Sequence, residues 1–458
     1  MTAVFLITLD AFRADLISEE VTPFLWKASS QGINFTNAVA TGSGTSSAFP
    51  GILAGTLPLQ HGYAKLREEH TTIAEQLPSS VSTIGVSSST PTSSVYNFDT
   101  GFDDFTGIEG ESRVSEVREK VRNSDFIRNN QTVLHIGEKI TQLLRKATAS
   151  SEEDEIPYLR AETVTKSLFE KIDGQTEDLF VWAHYMDTHT PYYPPDQHFR
   201  GKPDSYSRTE INTIISEYHP KILEEDAECS LSDAVLNALW DYYEAEASYI
   251  DSNIKELASH IREQYDEFTL IICADHGEEF GEHGHFGHPP KLYEELVHVP
   301  LIIYSDRHEP KTVSKPVSVA RVPATVADLF DVEPSAEWKT PSLLTEDGSQ
   351  NDRPVFSELS HTPKEGLGGT VQPEKAILSV RKGRWKYILN KQTDSEELYD
   401  LSVDDRERNN VIDEHREIAN ELRQLCNERL DEISSNDSQI DVSTDVSDRL
   451  EKLGYIEK

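Results

Sequence analysis

Two apolar runs far apart in the chain share one design. Val4–Leu9 and Phe268–Cys273 each have the length and branching of a buried strand, and each gives way abruptly to acid. Asp10 follows the first directly; Asp275 follows the second after Ala274. Ligands of open α/β sheets bind just beyond the carboxyl ends of the strands, so both acids stand where chemistry is expected. Around these runs the pattern predicts a helix over 22–30 with Pro23 in its first turn. It predicts another over Tyr243–Ile254, and a strand entering a polar loop over Leu179–Pro195. Near the end, Ile377–Leu389 and Glu397–Leu401 read as short antiparallel strands, with Lys382 and Gly383 as a hairpin turn. Helical periodicity marks 111–146 and 407–432. Residues 147–155 and 434–443 read as linkers, 202–230 as an acidic insertion, and 449–455 as a short apolar segment that docks back. There is no internal repeat.

Composition narrows the function. The 458 residues carry 81 acidic against 43 basic side chains, a formal charge of −38. Phosphate backbones would be repelled, which excludes sequence-independent nucleic-acid binding. The acid is spread along the chain as a solvated surface and predicts a halophilic cytoplasm, whose salt screens the self-repulsion. Cys229, Cys273 and Cys426 are too scattered for a disulfide framework or zinc knuckle. No apolar stretch is long enough for a membrane span. A cytoplasmic protein is expected.

The chemistry concentrates in three stretches. Asp275 and His276 offer oxygen and nitrogen to a divalent ion, and His283, His285 and His288 crowd the glycine-broken loop that follows. Asp10 is a second carboxylate for the same ion. Thr41–Gly62 runs hydroxyls and glycines into an apolar segment, a pattern that exposes backbone N–H groups to an anion at a helix start. A hydroxyl placed there beside a metal can become a nucleophile.

Together these stretches resemble the sulfatases of the alkaline phosphatase superfamily. Asp10 and Arg13 match the family's first strand end, and Leu53–Gly62 its Leu-Thr-Gly-x-x-Pro-x-x-His-Gly segment. Asp275–Glu278 match Asp-His-Gly-Glu, and Tyr293–Glu295 the Tyr-Glu-Glu before a strand. Asn97–Phe105 and Leu179–Pro195 resemble two further family loops, and Arg384–Tyr387 with Leu398–Leu401 its C-terminal subdomain. The resemblance implies an α/β fold, helices sandwiching a mostly parallel central sheet, with a catalytic domain over 1–335 and a small antiparallel C-terminal subdomain over 336–458. It places the nucleophile at Thr45, a metal on Asp10, Thr45, Asp275 and His276, and His189 and His288 as further catalytic groups. Arg13, His184 and His285 become the substrate contacts, with the core as an alternative place for His184.

The departures are informative. The family's Cys/Ser-x-Pro-x-Arg motif, source of formylglycine, is here Thr45, Ser46, Ser47, Ala48, Phe49, and threonine cannot give that aldehyde. No formylglycine is expected. The family's Lys-x-His pair has no match near Ser87–Ser89; His288 stands in place of a lysine, and Ala11 in place of a second acid. The resulting expectation is a metal-dependent hydrolase of sulfate or phosphate esters, acting on a small-molecule or glycan ester. The alternatives are a phospho-group transferase and a non-catalytic binding protein. One ion is expected, Ca²⁺, Mn²⁺ or Zn²⁺; a second would draw on Asp187, His189 and His288. The charge density predicts that the melting temperature rises when KCl is raised from about 0.1 M to about 2 M, where the screening length shrinks to a few ångströms. A flat or falling Tm in scanning calorimetry contradicts the halophilic reading.

Overall fold

The computed structural model describes residues 1–62, 66, 69–107, 156–201, 206–222, 230–345, 353–359 and 371–434. Its centre is a sheet of eight strands: β1 (Ala3–Leu9), β2 (Ile33–Phe35), β3 (Val81–Ser87), β4 (Asp104–Thr106), β5 (Asp178–Tyr185), β6 (Thr269–Ala274), β7 (Leu301–Ser305) and β8 (Lys311–Val313). They lie in the order β8-β2-β7-β6-β1-β5-β3-β4. Only β7 runs against its neighbours, β6 and β2; the other pairings are parallel. A parallel strand in mid-sheet is covered on both faces, so it needs no polar alternation. Every residue of β1 and β6 is buried, which is why both appear in sequence as apolar runs, with Thr8 and Thr269 their one polar residue each.

The helices form two packed groups. In one, α1 (Pro23–Gln31), α3 (Ala161–Ile172) and α4 (Asp233–Gln264) pack through α4. In the other, α2 (Thr45–Ala54) meets α5 (Val322–Leu329). Pro23 opens α1 as expected. The predicted helix over 243–254 is the middle of the 32-residue α4. The insertion over 202–230 is not irregular throughout, since it contains a helix, Arg208–Ile222. Ile211, Ile215 and Tyr218 recur at helical spacing there and are buried.

The C-terminal sheet has four antiparallel strands, β9 (Val355–Leu359), β10 (Ile377–Lys382), β11 (Trp385–Asn390) and β12 (Ser395–Asp400), of which β9 was not expected. Leu378, Tyr387, Leu389 and Leu398 pack with Ala419, Leu422 and Cys426 of α6 (Arg416–Ser434) in a core of their own. The helix expected from 407 begins only at Arg416; Glu407 itself has left-handed backbone, and irregular chain with a turn follows it up to residue 415. There Glu407 pairs with the buried Lys386 Nζ at 2.8 Å, and the same ammonium reaches Glu294 Oε1 at 2.9 Å. Arg381 reaches the other Glu294 oxygen at 2.8 Å. This dry ion network fastens the small sheet beside the segment that follows the site loop. Ser434 is the last residue of α6; the segments expected over 111–146, 147–155, 435–443 and 449–455 lie outside the described residues.

One contact ties the two ends of the first helix group together. The Asp251 carboxylate of α4 accepts the backbone N–H groups of Phe24 (3.0 Å) and Leu25 (2.8 Å), two first-turn donors of α1 that have no intrahelical partner. Asp251 is thus an N-cap supplied from another helix. Asp251→Ala strands both donors in a buried place, and is expected to lower stability by about 1–2 kcal/mol in urea unfolding. A change within error would show that water satisfies α1 instead.

Candidate active site

The sheet register builds the site. β1 and β6 pair so that Leu9 faces Ala274. Adjacent strands lie roughly 4.8 Å apart, so the next residue of each, Asp10 and Asp275, come side by side. The ladder continues one step past the strands: Asp275 N–H donates to the Leu9 carbonyl (3.2 Å) and Asp10 N–H to that of Tyr185 (2.9 Å). The chain then turns at Ala11, whose φ of +50° is left-handed and costs a non-glycine residue on the order of 1 kcal/mol. Three contacts hold that turn. Ala11 N–H donates to Asp275 Oδ1 (3.1 Å), the Tyr243 hydroxyl of α4 donates to the Ala11 carbonyl (2.6 Å), and Thr188 donates to the Asp10 carbonyl (2.6 Å).

Glycine after His276 has a steric cause. A Cβ at Gly277 would lie 2.1 Å from the Glu295 carbonyl oxygen, and Gly277 N–H donates to Leu296 O at 2.8 Å. That close approach fixes the His276 ring. Its Nδ1 bonds the Gly277 carbonyl (2.8 Å) and so carries the proton, which leaves the Nε2 lone pair facing the acids. His276 Nε2 is 3.7 Å from Asp10 Oδ1 and 3.6 Å from Asp275 Oδ2.

Thr45 completes the group from the other side. It is the first residue of α2, after an extended Gly44, and Ser47 Oγ braces the turn against the Gly44 N–H (3.2 Å) and carbonyl (2.7 Å). Thr45 Oγ1 lies 3.3 Å from Asp10 Oδ2 and 3.4 Å from His276 Nε2. The unpaired N–H groups and dipole of a helix start favour negative charge at this point.

These residues suit a divalent ion. Donor atoms about 2.0–2.2 Å from one ion sit roughly 3–3.6 Å apart, close to the spacings here. Asp10 Oδ1 and Asp275 Oδ2 are buried without a hydrogen-bond partner among the described residues, although hydrogen bonds satisfy most buried polar atoms. The electrostatics agree. Burial and the Asp10 charge push Asp275 well above the usual carboxylate range. Burial also raises Asp10, but the bond to His184 and the nearby His189 and His276 outweigh it and hold Asp10 below its ordinary value. The two acids are thus driven in opposite directions, and a cation between them would relieve the repulsion that raises Asp275. Burial, and then His288, lower His276 to about 3, so it is the neutral imidazole a metal needs.

Two more histidines adjoin. His189 Nδ1 bonds the Thr190 carbonyl (2.7 Å), which leaves a buried Nε2 without a hydrogen-bond partner among the described residues. The His288 ring lies 4.7 Å from that of His276 and 5.2 Å from that of His189, and passes 3.9 Å from where a Cβ on Gly44 would stand. Its Nδ1 meets Glu278 Oε2 at 2.9 Å. Burial alone would lower His288, but Glu278 outweighs it and the pKa is raised. Glu278 was missed as a site residue, although it stands in the Asp-His-Gly-Glu motif, three residues after Asp275.

The structure places the other expected contacts elsewhere. His184 is fully buried behind Asp10, Nε2 at 3.3 Å from Asp10 Oδ2 and its ring against Phe49 and Trp182. It touches the acid, not a surface that substrate can reach. Arg13 spends its guanidinium on Asp15 and Glu282 (2.6 Å each) and the Glu278 carbonyl (3.0 Å), over the Trp240 ring. It braces the 278–282 loop. His285 ends the turn between the short strands Glu279–Phe280 and Phe286–Gly287, where burial and Lys291 lower it to about 4. Asp187, considered for a second metal, is paired with Arg160 at 2.9 Å.

The sulfatase family model matches residues 2–332. The chain belongs to the sulfatase family. Among curated relatives, choline-sulfatase of Rhizobium meliloti is 28% identical over 184 residues, 38% of this chain and 33% of that protein. Arylsulfatase K of Mus musculus is 29% identical over 191 residues, 40% and 34% respectively. The matched stretch thus spans about a third of the curated relatives' length. Phosphonate monoester hydrolase of Agrobacterium radiobacter shares the fold with a TM-score of 0.70 at 16% identity, over 95% of each chain. So does BT4656, solved with a glucosamine disulfate substrate, with a TM-score of 0.68 at 16% identity over 95% and 98%. These neighbours share the mixed α/β architecture, its large mostly parallel sheet and its C-terminal antiparallel sheet.

If Asp10, Asp275 and His276 hold an ion in this sulfatase-family chain, Asp275→Asn should empty the site. Purified protein should carry one divalent ion per chain by mass spectrometry and the variant markedly less. Chelation should then lower the Tm of the wild type and leave that of the variant where it is. Equal metal content in both sinks the assignment.

Proposed function

We propose that this chain hydrolyses sulfate esters or singly charged phosphorus esters, with Thr45 as nucleophile. The observation that carries the reading is the convergence of Thr45 Oγ1, Asp10 and His276 Nε2 within 3.3–3.4 Å of the hydroxyl at the start of α2. Asp10, Asp275 and His276, with Thr45 itself, would hold the divalent ion. When bound, that ion supplies positive charge that lowers the hydroxyl pKa and offsets charge on the ester oxygens. The Thr45 hydroxyl gives up its proton to water as its oxygen attacks sulfur or phosphorus, and the bond to the leaving oxygen breaks. Water then cleaves the covalent threonine ester, releasing the inorganic acid and returning a proton to Thr45. His288, whose pKa Glu278 raises, donates a proton to the leaving oxygen; His189 Nε2 contacts the non-bridging oxygens. No aldehyde is required at residue 45.

The preference for one negative charge follows from what the nearby cations are doing. Arg13 is committed to Asp15 and Glu282, and Lys291 to the His283 carbonyl (2.6 Å) and Glu279 (3.5 Å). Among the described groups at Thr45, charge on the substrate is met, besides the ion, by histidines and a helix start and not by an uncommitted guanidinium or ammonium, which suits a monoanion better than a phosphate dianion. The sulfatases and phosphonate hydrolases among its relatives fit the same class. High salt and a cytoplasmic setting are part of this reading, on the strength of the acidic composition.

The experiment compares p-nitrophenyl sulfate, p-nitrophenyl phenylphosphonate, bis-p-nitrophenyl phosphate and p-nitrophenyl phosphate on metal-loaded protein. A monoanionic substrate should be fastest. Thr45→Ala should lose at least about a thousandfold in kcat/KM and Thr45→Ser should keep measurable turnover. Undiminished turnover by Thr45→Ala removes the nucleophile, and a clear preference for the phosphate monoester removes the monoanion argument.

A further inference from the structure

A cavity of about 690 Å³ opens between the catalytic body and the C-terminal sheet, well away from Thr45. Gly55, which ends α2, lines it, while Thr45 begins the same helix. Ten helical residues put roughly 15 Å between the two places. The walls include apolar Leu57, Val317 and Phe356. Five cations surround them, Lys315, Arg321, Lys339, Arg353 and Arg429, against a single acid, Glu432. In a chain with 81 acidic and 43 basic residues, chance would gather the opposite sign.

Internal partners account for only part of this charge. Arg429 pairs with Glu358 at 2.6 Å and with Glu432 at 3.3 Å. The buried Arg321 donates to the carbonyls of Pro341 (2.8 Å) and Ser342 (2.6 Å), and Lys339 to that of Ala336 (2.9 Å). Lys315 and Arg353 meet no hydrogen-bonding or charged partner among the described residues. The carboxyl end of α2 adds only about half a negative charge, so the cations stay in excess. A hollow of this volume takes a ligand of drug or nucleotide size, and one with apolar walls and a few placed charges selects an amphiphilic one.

We propose that this cavity binds an organic anion with an apolar body, its sulfonate, sulfate, phosphate or carboxylate held by Lys315 and Arg353. The site is independent of the reaction at Thr45. The test uses the full-length protein and 8-anilinonaphthalene-1-sulfonate, which cannot be hydrolysed as an ester, followed by its fluorescence. Wild-type protein should bind it saturably. The double variant Lys315→Glu/Arg353→Glu should bind at least about tenfold more weakly. Neither side chain has a partner among the described residues, so the variant should keep the wild-type Tm, and Lys315→Gln/Arg353→Gln gives an intermediate affinity. The uncharged N-phenyl-1-naphthylamine should bind far less tightly to the wild type. Thr45→Ala should bind the probe as the wild type does. Absence of saturable binding, equal affinity in the charge-reversed protein, equal affinity for the uncharged analogue, or loss of binding in Thr45→Ala each overturns the proposal.

Discussion

Two carboxylates pressed together in a dry interior are the constraint from which the site follows. At about 4 Å and an effective dielectric near 20, two like charges repel by about 4 kcal/mol. Asp275 accepts N–H bonds from Ala11 (3.1 Å) and His276 (2.8 Å), which offset part of that. One oxygen of each acid still has no hydrogen-bond partner among the described residues. Either a proton or a cation must sit between them. The neutral His276, turned by Gly277 so that its lone pair faces the same space, favours the cation. Parallel pairing of β1 with β6 creates the problem and places its answer at the end of the sheet.

The same pairing explains what could be read from the sequence. Asp10 and Asp275 were legible because central parallel strands are apolar throughout, so the first acid after each marks the strand tip. His276 follows from being next in line. His184, Arg13 and His285 were less legible because their surroundings come from distant segments. His184 lies behind Asp10, its ring against Phe49 and Trp182. Arg13 is held by Glu282, whose position depends on the whole 276–288 loop. A residue type announces chemistry, but its partners decide whether that chemistry reaches a ligand.

Much of the fold was legible for a related reason. Elements with one apolar face, such as α1 and the hairpin of β10 and β11, carry their own period. The helix Arg208–Ile222 carried one too, in Ile211, Ile215 and Tyr218, but it is short on apolar residues and sits in acidic surroundings that read as insertion. β9 was hidden because its five residues gain meaning only from pairing with β10. Glu407 lies outside α6, in a turn where the buried Lys386 claims its carboxylate.

The replacement at residue 49 shows how a family site can change its charge without changing its frame. Where the resemblance leads one to expect arginine, Phe49 lies in an aromatic cluster, 4.6 Å from His184, 5.7 Å from Trp182 and 6.0 Å from Phe98. A guanidinium there would need an anion or water in a place that offers carbon. His184, held against that cluster, instead faces Asp10 Oδ2 and orients the acid from behind. The aromatic cluster that fills residue 49 thus also holds the histidine that orients Asp10. With carbon at residue 49, any charge brought to Thr45 is met by the neighbouring histidines and the start of α2, and not from that position.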